Sequence, residues 1–187
     1  MSHNLKRLFI AIPINEEVRN SLAKISEHRS HWPVRWVPAE NLHLTLVFLG
    51  NRNNAAINTI KQVIDKVAKT GFFRVRLSYF EIFPSKKRPK LVWVKTRNNP
   101  DLERLFDQLY LTLKAADPDL ISFCKTYLPH VTLGRFKSRP HPAFTFTPSL
   151  PRDGTATFVA DRLALYKSTL GTPHSIYKEI HSIALNS

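Results

Sequence analysis

Two periods of hydrophobic spacing alternate along this chain, and the switches between them outline its elements. Residues 7–14, "RLFIAIPI", form a nearly unbroken apolar run, which predicts a buried strand. Residues 15–28 then take up a helical period. Val18, Leu22 and Ile25 share one stripe, Asn15 is placed to cap, and Glu16 and Glu17 fill the first turn. Residues 34–37, "VRWV", read as a short strand, and 42–49 as a buried strand ending at Gly50. A second amphipathic helix is predicted over 54–70, with Ile57, Ile60, Ile64 and Val67 on its stripe and Gly71 at its stop. Residues 73–83 alternate with period two, and 90–96 pair with them as a hairpin across the basic loop "PSKKRPK", 84–90. A third helix is predicted over 100–116, with Pro100 near its start and Leu102, Leu105, Leu109 and Leu113 facing inward. The remaining strand-like segments are 130–136, 143–148, 157–168 and 175–185.

Adjacent strands that read as hairpins, with helices between them, predict an α+β fold of mainly antiparallel sheet. A doubly wound parallel sheet would need a helix after nearly every strand. The order strand, helix, strand with a His-x-Thr, helix, strand can be read again in the second half. The chain has 187 residues and no low-complexity tract or long linker, so a single domain over 1–187, built of two similar lobes, is expected.

Two of these strands carry the same polar insertion. "NLHLTLVFLG" (41–50) and "YLPHVTLGRF" (127–136) both read His-x-Thr-Leu. Composition alone predicts about 0.07 such matches in a chain of this length, so the doubling points to function although a lone copy would not. Side chains alternate along a strand, so His43 and Thr45 share one face while Leu44 and Leu46 share the other. His130 and Thr132 are related in the same way to Val131 and Leu133. Two such strands facing one cleft would bring two imidazoles and two hydroxyls to one small anion. A histidine pair can hold one neutral ring as base and one protonated ring as acid, which suits in-line attack at phosphorus. The hydroxyls can bind the non-bridging oxygens. Arg135 lies five residues after His130 and would face away on a regular strand. Gly134 is therefore read as a bulge that re-aims it.

Charge supports an anionic partner. Lys and Arg number 28 against 14 Asp and Glu, for a net charge of +14, which favours nucleic acid over a small ligand. There is no Gly-rich nucleotide loop and no GxSxG. Neither motif has a neighbouring Cys or Asp ligand, so no metal site and no cofactor is expected. His3, His28, His31, His141, His174 and His181 lack a partner motif and are read as surface or structural. Trp32, Trp36 and Trp93 are read as core residues, with base stacking left open for one of them or for Phe48 near the first motif. Cys124 is the one cysteine, which excludes an internal disulfide, points to a reducing compartment such as the cytoplasm, and reads as buried and inert. No signal peptide and no membrane-spanning run is read from the sequence.

The paired motifs, together with "RLFIAIPI", "VRWVPAENLHLTLVFLG" and "LYKSTLGTPHSIYKEI", resemble the 2H phosphoesterase superfamily. Within it, the chain is similar to the bacterial RNA 2′,3′-cyclic phosphodiesterases, also called 2′-5′ RNA ligases. The resemblance covers nearly the whole chain. It implies a bilobal α+β fold in which two pseudo-twofold-related lobes, with helices outside, each give one motif strand to a central cleft. It implies that His43 donates a proton to the leaving 3′ oxygen and that His130 accepts one from water. Thr45 and Thr132 would hold the phosphate, with Arg135 matching the family's arginine after the second motif. The implied substrate is RNA with a 2′,3′-cyclic phosphate end, of tRNA or other origin, and the product is a 2′-phosphomonoester made without metal or nucleotide. Ligation to a 5′-hydroxyl would be the reverse reaction. A monomer would suffice, since both motifs lie in one chain. The motifs look alike, so acid and base are assigned by the resemblance alone. Two rivals stay open: a cyclic phosphodiesterase for a small nucleotide, separable by its turnover of cyclic mononucleotides, and a non-catalytic RNA-binding module, which would be indifferent to loss of either histidine.

Overall fold

A computed structural model describes residues 5–85, 88–121, 127–138 and 157–186. Cys124, His3, His141 and the strand expected over 143–148 lie outside the described residues. Among the described residues, each α-helix begins at an asparagine whose side chain accepts a hydrogen bond from a first-turn amide. Asn15 caps α1 (Glu16–Glu27), Asn53 caps α2 (Asn54–Val67) and Asn99 caps α3 (Pro100–Ala116). The inward stripes are those the spacing predicts, including Ile57, Ile60, Ile64 and Val67 in α2. Among the described residues, no helix is long and apolar enough to cross a membrane.

The strands are β1 (Lys6–Pro13), β2 (Val34–Trp36), β3 (His43–Arg52), β4 (Phe73–Ser85), β5 (Arg88–Thr96), β6 (His130–Phe136), β7 (Thr157–Ala160), β8 (Arg162–Thr169) and β9 (Ile176–Ala184). They form one sheet in the order β7-β4-β5-β6-β3-β1-β8-β9, with β2 added beside β6. Every pairing among the described residues is antiparallel, so the fold is α+β as expected. The order has a centre. β3 and β6, the two motif strands, meet at Leu44–Val131, and the strands on either side mirror one another. The halves are also interleaved. After β3 the chain passes through α2 to β4 in the far half, and after β7 it returns to β8 and β9 beside β1.

Three expectations are corrected. Residues 157–168 are not one strand. The ladder breaks at Asp161, so that β7 pairs with β4 at one edge while β8 pairs with β1 in the other half. Apolar residues stand on both sides of the break, which is why one strand was expected, but the buried positions change phase across it, from Phe158 and Ala160 to Leu163 and Leu165. The basic loop read over 84–90 is also shorter, because Pro84 pairs with Pro89 and Ser85 with Arg88. β3 likewise continues through Gly50 to Arg52. Gly50 has φ 70°, a left-handed conformation that suits glycine, and marks a bulge rather than an end.

The sheet presents one face to the helices. Leu44, Leu46, Val131 and Leu133 are buried there in one core with Leu22, Ile60, Leu105 and Leu109. The motif polar residues point the other way. In β6 the pairing skips a residue, from Trp93–Thr132 to Val92–Gly134, and Leu133 and Gly134 are both buried. This is the bulge expected from Gly134, and it turns Arg135 to the face of His130 and Thr132. The glycine is required by close approach. A Cβ there would collide with Val34 Cγ1 and lie 3.1 Å from both the Arg35 carbonyl oxygen and Trp36 Cε3. Gly134→Ala is therefore expected to destabilise the protein by about 1–3 kcal/mol, since β2 must shift. Thermal unfolding should register roughly 2–4 °C of lowered Tm per kcal/mol, and an unchanged Tm would refute the packing argument.

Candidate active site

The two motif strands run antiparallel through Leu44–Val131. Directly opposed residues in such a pair share a face, so this register sets His43 across from Thr132 and Thr45 across from His130. All four stand on the face away from the helices. The two histidines are thus diagonal neighbours, roughly 7–8 Å apart at the backbone. Thr45, Thr132, Arg135 and His43 line a cavity of about 300 Å³ whose walls also include Arg7 and Tyr177. Four of the sequence-predicted residues thus share this cavity, Arg135 through the bulge, while His130 is not in its lining and is related to it by the strand register alone.

The same local device orients both rings. His43 Nδ1 lies 2.7 Å from the Asn41 carbonyl oxygen, and His130 Nδ1 lies 2.6 Å from that of Leu128. A carbonyl can only accept, so each Nδ1 carries a hydrogen and donates it. Each Nε2 is left to take up or release a proton. In both cases the carbonyl belongs to the residue two positions before the histidine, just ahead of the strand.

The surroundings of the two rings differ. His43 is packed among aromatics: Phe9 stacks on it at 4.7 Å, Tyr177 meets it edge-on at 5.4 Å, and Tyr166 lies at 6.2 Å. Burial in this wall pushes its pKa from the ordinary 6.5 down to about 4, with the Asn41 carbonyl opposing and His130 adding to the drop. His130 is less enclosed and has Trp93 at 4.4 Å. Its pKa is also lowered, first by burial and further by Arg135, against the Leu128 carbonyl. Sequence reasoning missed Phe9, Tyr166 and Tyr177. Phe9 sits in a run buried on both faces, so alternation carried no signal for it. Tyr166 and Tyr177 reach the first motif only through the pairing of β1, β8 and β9. Of the other histidines, His181 Nε2 pairs with Asp65 at 2.6 Å, joining β9 to α2, and His28 bonds the Lys24 carbonyl, so both act within the scaffold. Trp32 and Trp93 are buried as expected.

An antiparallel, two-halved α+β sheet with one His-x-Thr strand from each half at its centre defines a recognisable class. The backbone matches the crystal structure of TT0787 of Thermus thermophilus with a TM-score of 0.84 at 28% identity, over 96% of this chain and 97% of that one. It also matches Escherichia coli LigT in its apo form with a TM-score of 0.76 at 24% identity, over 98% and 99% of the two chains. The model of the 2′-5′ RNA ligase superfamily matches residues 14–172, and the chain belongs to that superfamily. Among its relatives, the RNA 2′,3′-cyclic phosphodiesterase of Thermotoga maritima is 31% identical over 179 residues, 94% of this chain and 93% of that protein. The RNA 2′,3′-cyclic phosphodiesterase of Methanocaldococcus jannaschii is 28% identical over 184 residues, 93% of this chain and 98% of that protein.

The depressed His43 makes a direct prediction. In the unfolded chain this ring takes up a proton as pH falls through about 6.5, whereas in the folded protein it stays neutral to about pH 4. The stability linked to neutral His43 is therefore fully present above pH 6.5 and is lost between there and pH 4, a loss on the order of 3 kcal/mol. NMR titration should show the His43 ring changing near pH 4. A midpoint at the ordinary histidine value would refute the buried, neutral ring.

Proposed function

We propose that this protein hydrolyses RNA 2′,3′-cyclic phosphate ends to 2′-phosphomonoesters, with one histidine as general acid and the other as general base. The observation that carries the reading is that two identically oriented imidazoles and two threonines share one face of the paired motif strands, with His43, Thr45, Thr132 and Arg135 lining one cavity there. Relatives of nearly the same length that are named RNA 2′,3′-cyclic phosphodiesterase support the substrate, as does the net charge of +14.

In this reaction the cyclic phosphate lies between the diagonal rings, with its non-bridging oxygens against Thr45, Thr132 and Arg135. His130 Nε2 takes a proton from water as the water oxygen bonds to phosphorus. His43 Nε2 gives its proton to O3′ as the P–O3′ bond breaks. Both proton transfers are met by the imidazoles, so the reaction is proposed to need no metal and no nucleotide. The reverse reaction, with a 5′-hydroxyl in place of water, would join RNA ends through a 2′-5′ linkage. All the groups come from one chain, which supports a monomer as the working unit and residues 1–187 acting as one domain.

The acid assignment carries a condition. In the free protein, burial disfavours a proton on His43 more strongly than on His130. The bound phosphate must therefore restore it, since an anion beside the ring raises its pKa. The pH dependence should show this. Both rings lie below 6.5 in the free protein, so the kcat/KM profile is expected to be bell-shaped with its optimum on the acid side of pH 6.5. The kcat profile should sit at higher pH. A kcat/KM that rises monotonically from pH 5 to pH 9 would exclude the histidine pair.

The activity is tested with a short RNA ending in a 2′,3′-cyclic phosphate, in EDTA. The product should carry a 2′-phosphate, and His43→Ala and His130→Ala should each reduce the rate roughly 10²- to 10⁴-fold. An intact cyclic end with the wild-type protein would refute the reading. The roles are separated by a phosphodiester with a p-nitrophenolate leaving group, which needs no proton to depart. On that substrate His43→Ala should recover most of its loss and His130→Ala should not; the opposite pattern would exchange acid and base.

A further inference from the structure

The floor of the cleft has two distinct ends. On β1, Pro13, Ala11 and Phe9 stand opposite His43, Thr45 and Phe48. On β5, Lys95, Trp93 and Leu91 stand opposite His130, Thr132 and Arg135. Each motif strand therefore holds one inserted residue after its His-x-Thr, which returns the fifth position after the histidine to the cleft face. The motif strands run antiparallel, so Arg135 stands at the His43 end of the cleft and Phe48 at the His130 end.

A second arginine stands at the His43 end. β5 occupies one edge of β6 as far as Arg135, so β3 and β2 share the other edge, β3 at Val131 and β2 at residues 134–136. Arg35 of β2 lies directly opposite Arg135 and so on the same face. Val37, two residues further on, lines the cavity that holds His43, Thr132 and Arg135, and Arg35 continues that wall outward. Both arginines are exposed, and among the described residues neither forms an ion pair with a carboxylate. Like charges directly opposed across a ladder destabilise it. Two guanidiniums side by side at the rim of a phosphate site suit two phosphates, the one that reacts and the next along the chain.

We propose that Arg35 binds the phosphodiester on the 5′ side of the terminal nucleotide, beside the cyclic phosphate held at Arg135, and that this contact makes the protein select RNA ends over free cyclic nucleotides. The proposal rests on the phosphodiesterase reading above and deepens it. The ribose fixes the direction. With O3′ facing His43, C3′ and the C4′–C5′ arm attached to it lie toward the His43 end. C1′ and its base, attached beside C2′, lie toward the His130 end. The strand therefore leaves the site past His43, where two routes open. One enters the neighbouring cavity, lined by Glu16, Glu40 and Asp161 against Arg19 and Arg162, and its excess of carboxylate repels a phosphate. The other passes Arg135 and Arg35, where the facing side chains are cations.

The test uses a short RNA ending in a 2′,3′-cyclic phosphate whose last internucleotide linkage is either a phosphodiester or an uncharged methylphosphonate, and measures kcat/KM on each. Arg35 is exposed and its neighbour Val34 supplies the core contact of β2, and melting curves establish that each variant is folded. The wild type should prefer the phosphodiester by roughly 3- to 30-fold. Arg35→Gln should bring that ratio close to one, and Arg35→Lys should keep most of it. The loss should fall on KM, and for the phosphodiester RNA the slope of log KM against log salt should drop by about 0.7. A wild type indifferent to the linkage, or an Arg35→Gln variant that keeps the wild-type ratio, overturns this inference while the phosphodiesterase reading stands. If the wild type leaves both cyclic ends intact, both fall.

Discussion

The register at Leu44–Val131 is the constraint on which the rest depends. It brings the two motif strands together at the centre of the sheet and decides which way their side chains point. Leu44 and Val131 face the helices, so their polar neighbours must face the cleft. A slip of one residue would turn both histidines into the core and four leucine or valine side chains into water. The buried stripe of each motif strand is therefore what specifies the position of its polar residues. The burial that stabilises the sheet and the exposure that makes a site are two faces of one pairing.

The inserted residues refine that arrangement. A regular strand would give the cleft every second residue, and the fifth position after each histidine would be lost to the core side. One extra residue recovers it in both halves, by different means. β6 lies against β2, and the space beside its bulge is filled by Val34, Trp36 and the Arg35 carbonyl, so only glycine fits at 134. β3 uses Val47 at the matching place and reserves its positive-φ glycine, Gly50, for the next register shift. The symmetry is therefore one of backbone register, and the side chains are free to differ.

Much of this was legible in the chain. The helices declared themselves by spacing, by Asn15 at the start of the first and by Pro100 near the start of the third, and the polar pairs stood out because they interrupt apolar strands. Gly134 could be read as a bulge because Arg135 would otherwise face away. What could not be read depends on partners distant in sequence. The break at Asp161 shows in the chain only as two consecutive polar residues between apolar runs, and the different neighbours of β7 and β8 are what make it a change of strand. Phe9, Tyr166 and Tyr177 meet His43 across one, two and three strand pairings respectively, and none carries a local mark of that contact. The basic hairpin read as loop because its prolines and lysines suit a loop, yet Pro84 and Pro89 are paired at the end of a long ladder.

Two copies of one motif, identically hydrogen-bonded, offer two equivalent imidazoles, whereas acid–base catalysis needs two that differ. The difference must come from what surrounds them. Here one ring is enclosed by Phe9, Tyr166 and Tyr177, and the other lies beside Trp93 with Arg135 close by. Each environment lowers the imidazole's affinity for a proton, one mainly by excluding water and the other also by positive charge. A bound anion offsets these effects unequally. It is the largest charge the enclosed ring would meet, in the medium where a charge acts most strongly, whereas Arg135 already neutralises part of it beside His130. Substrate binding would thus move the proton preference toward His43, and an arrangement symmetric in backbone would become a directional acid–base pair only when the phosphate is in place.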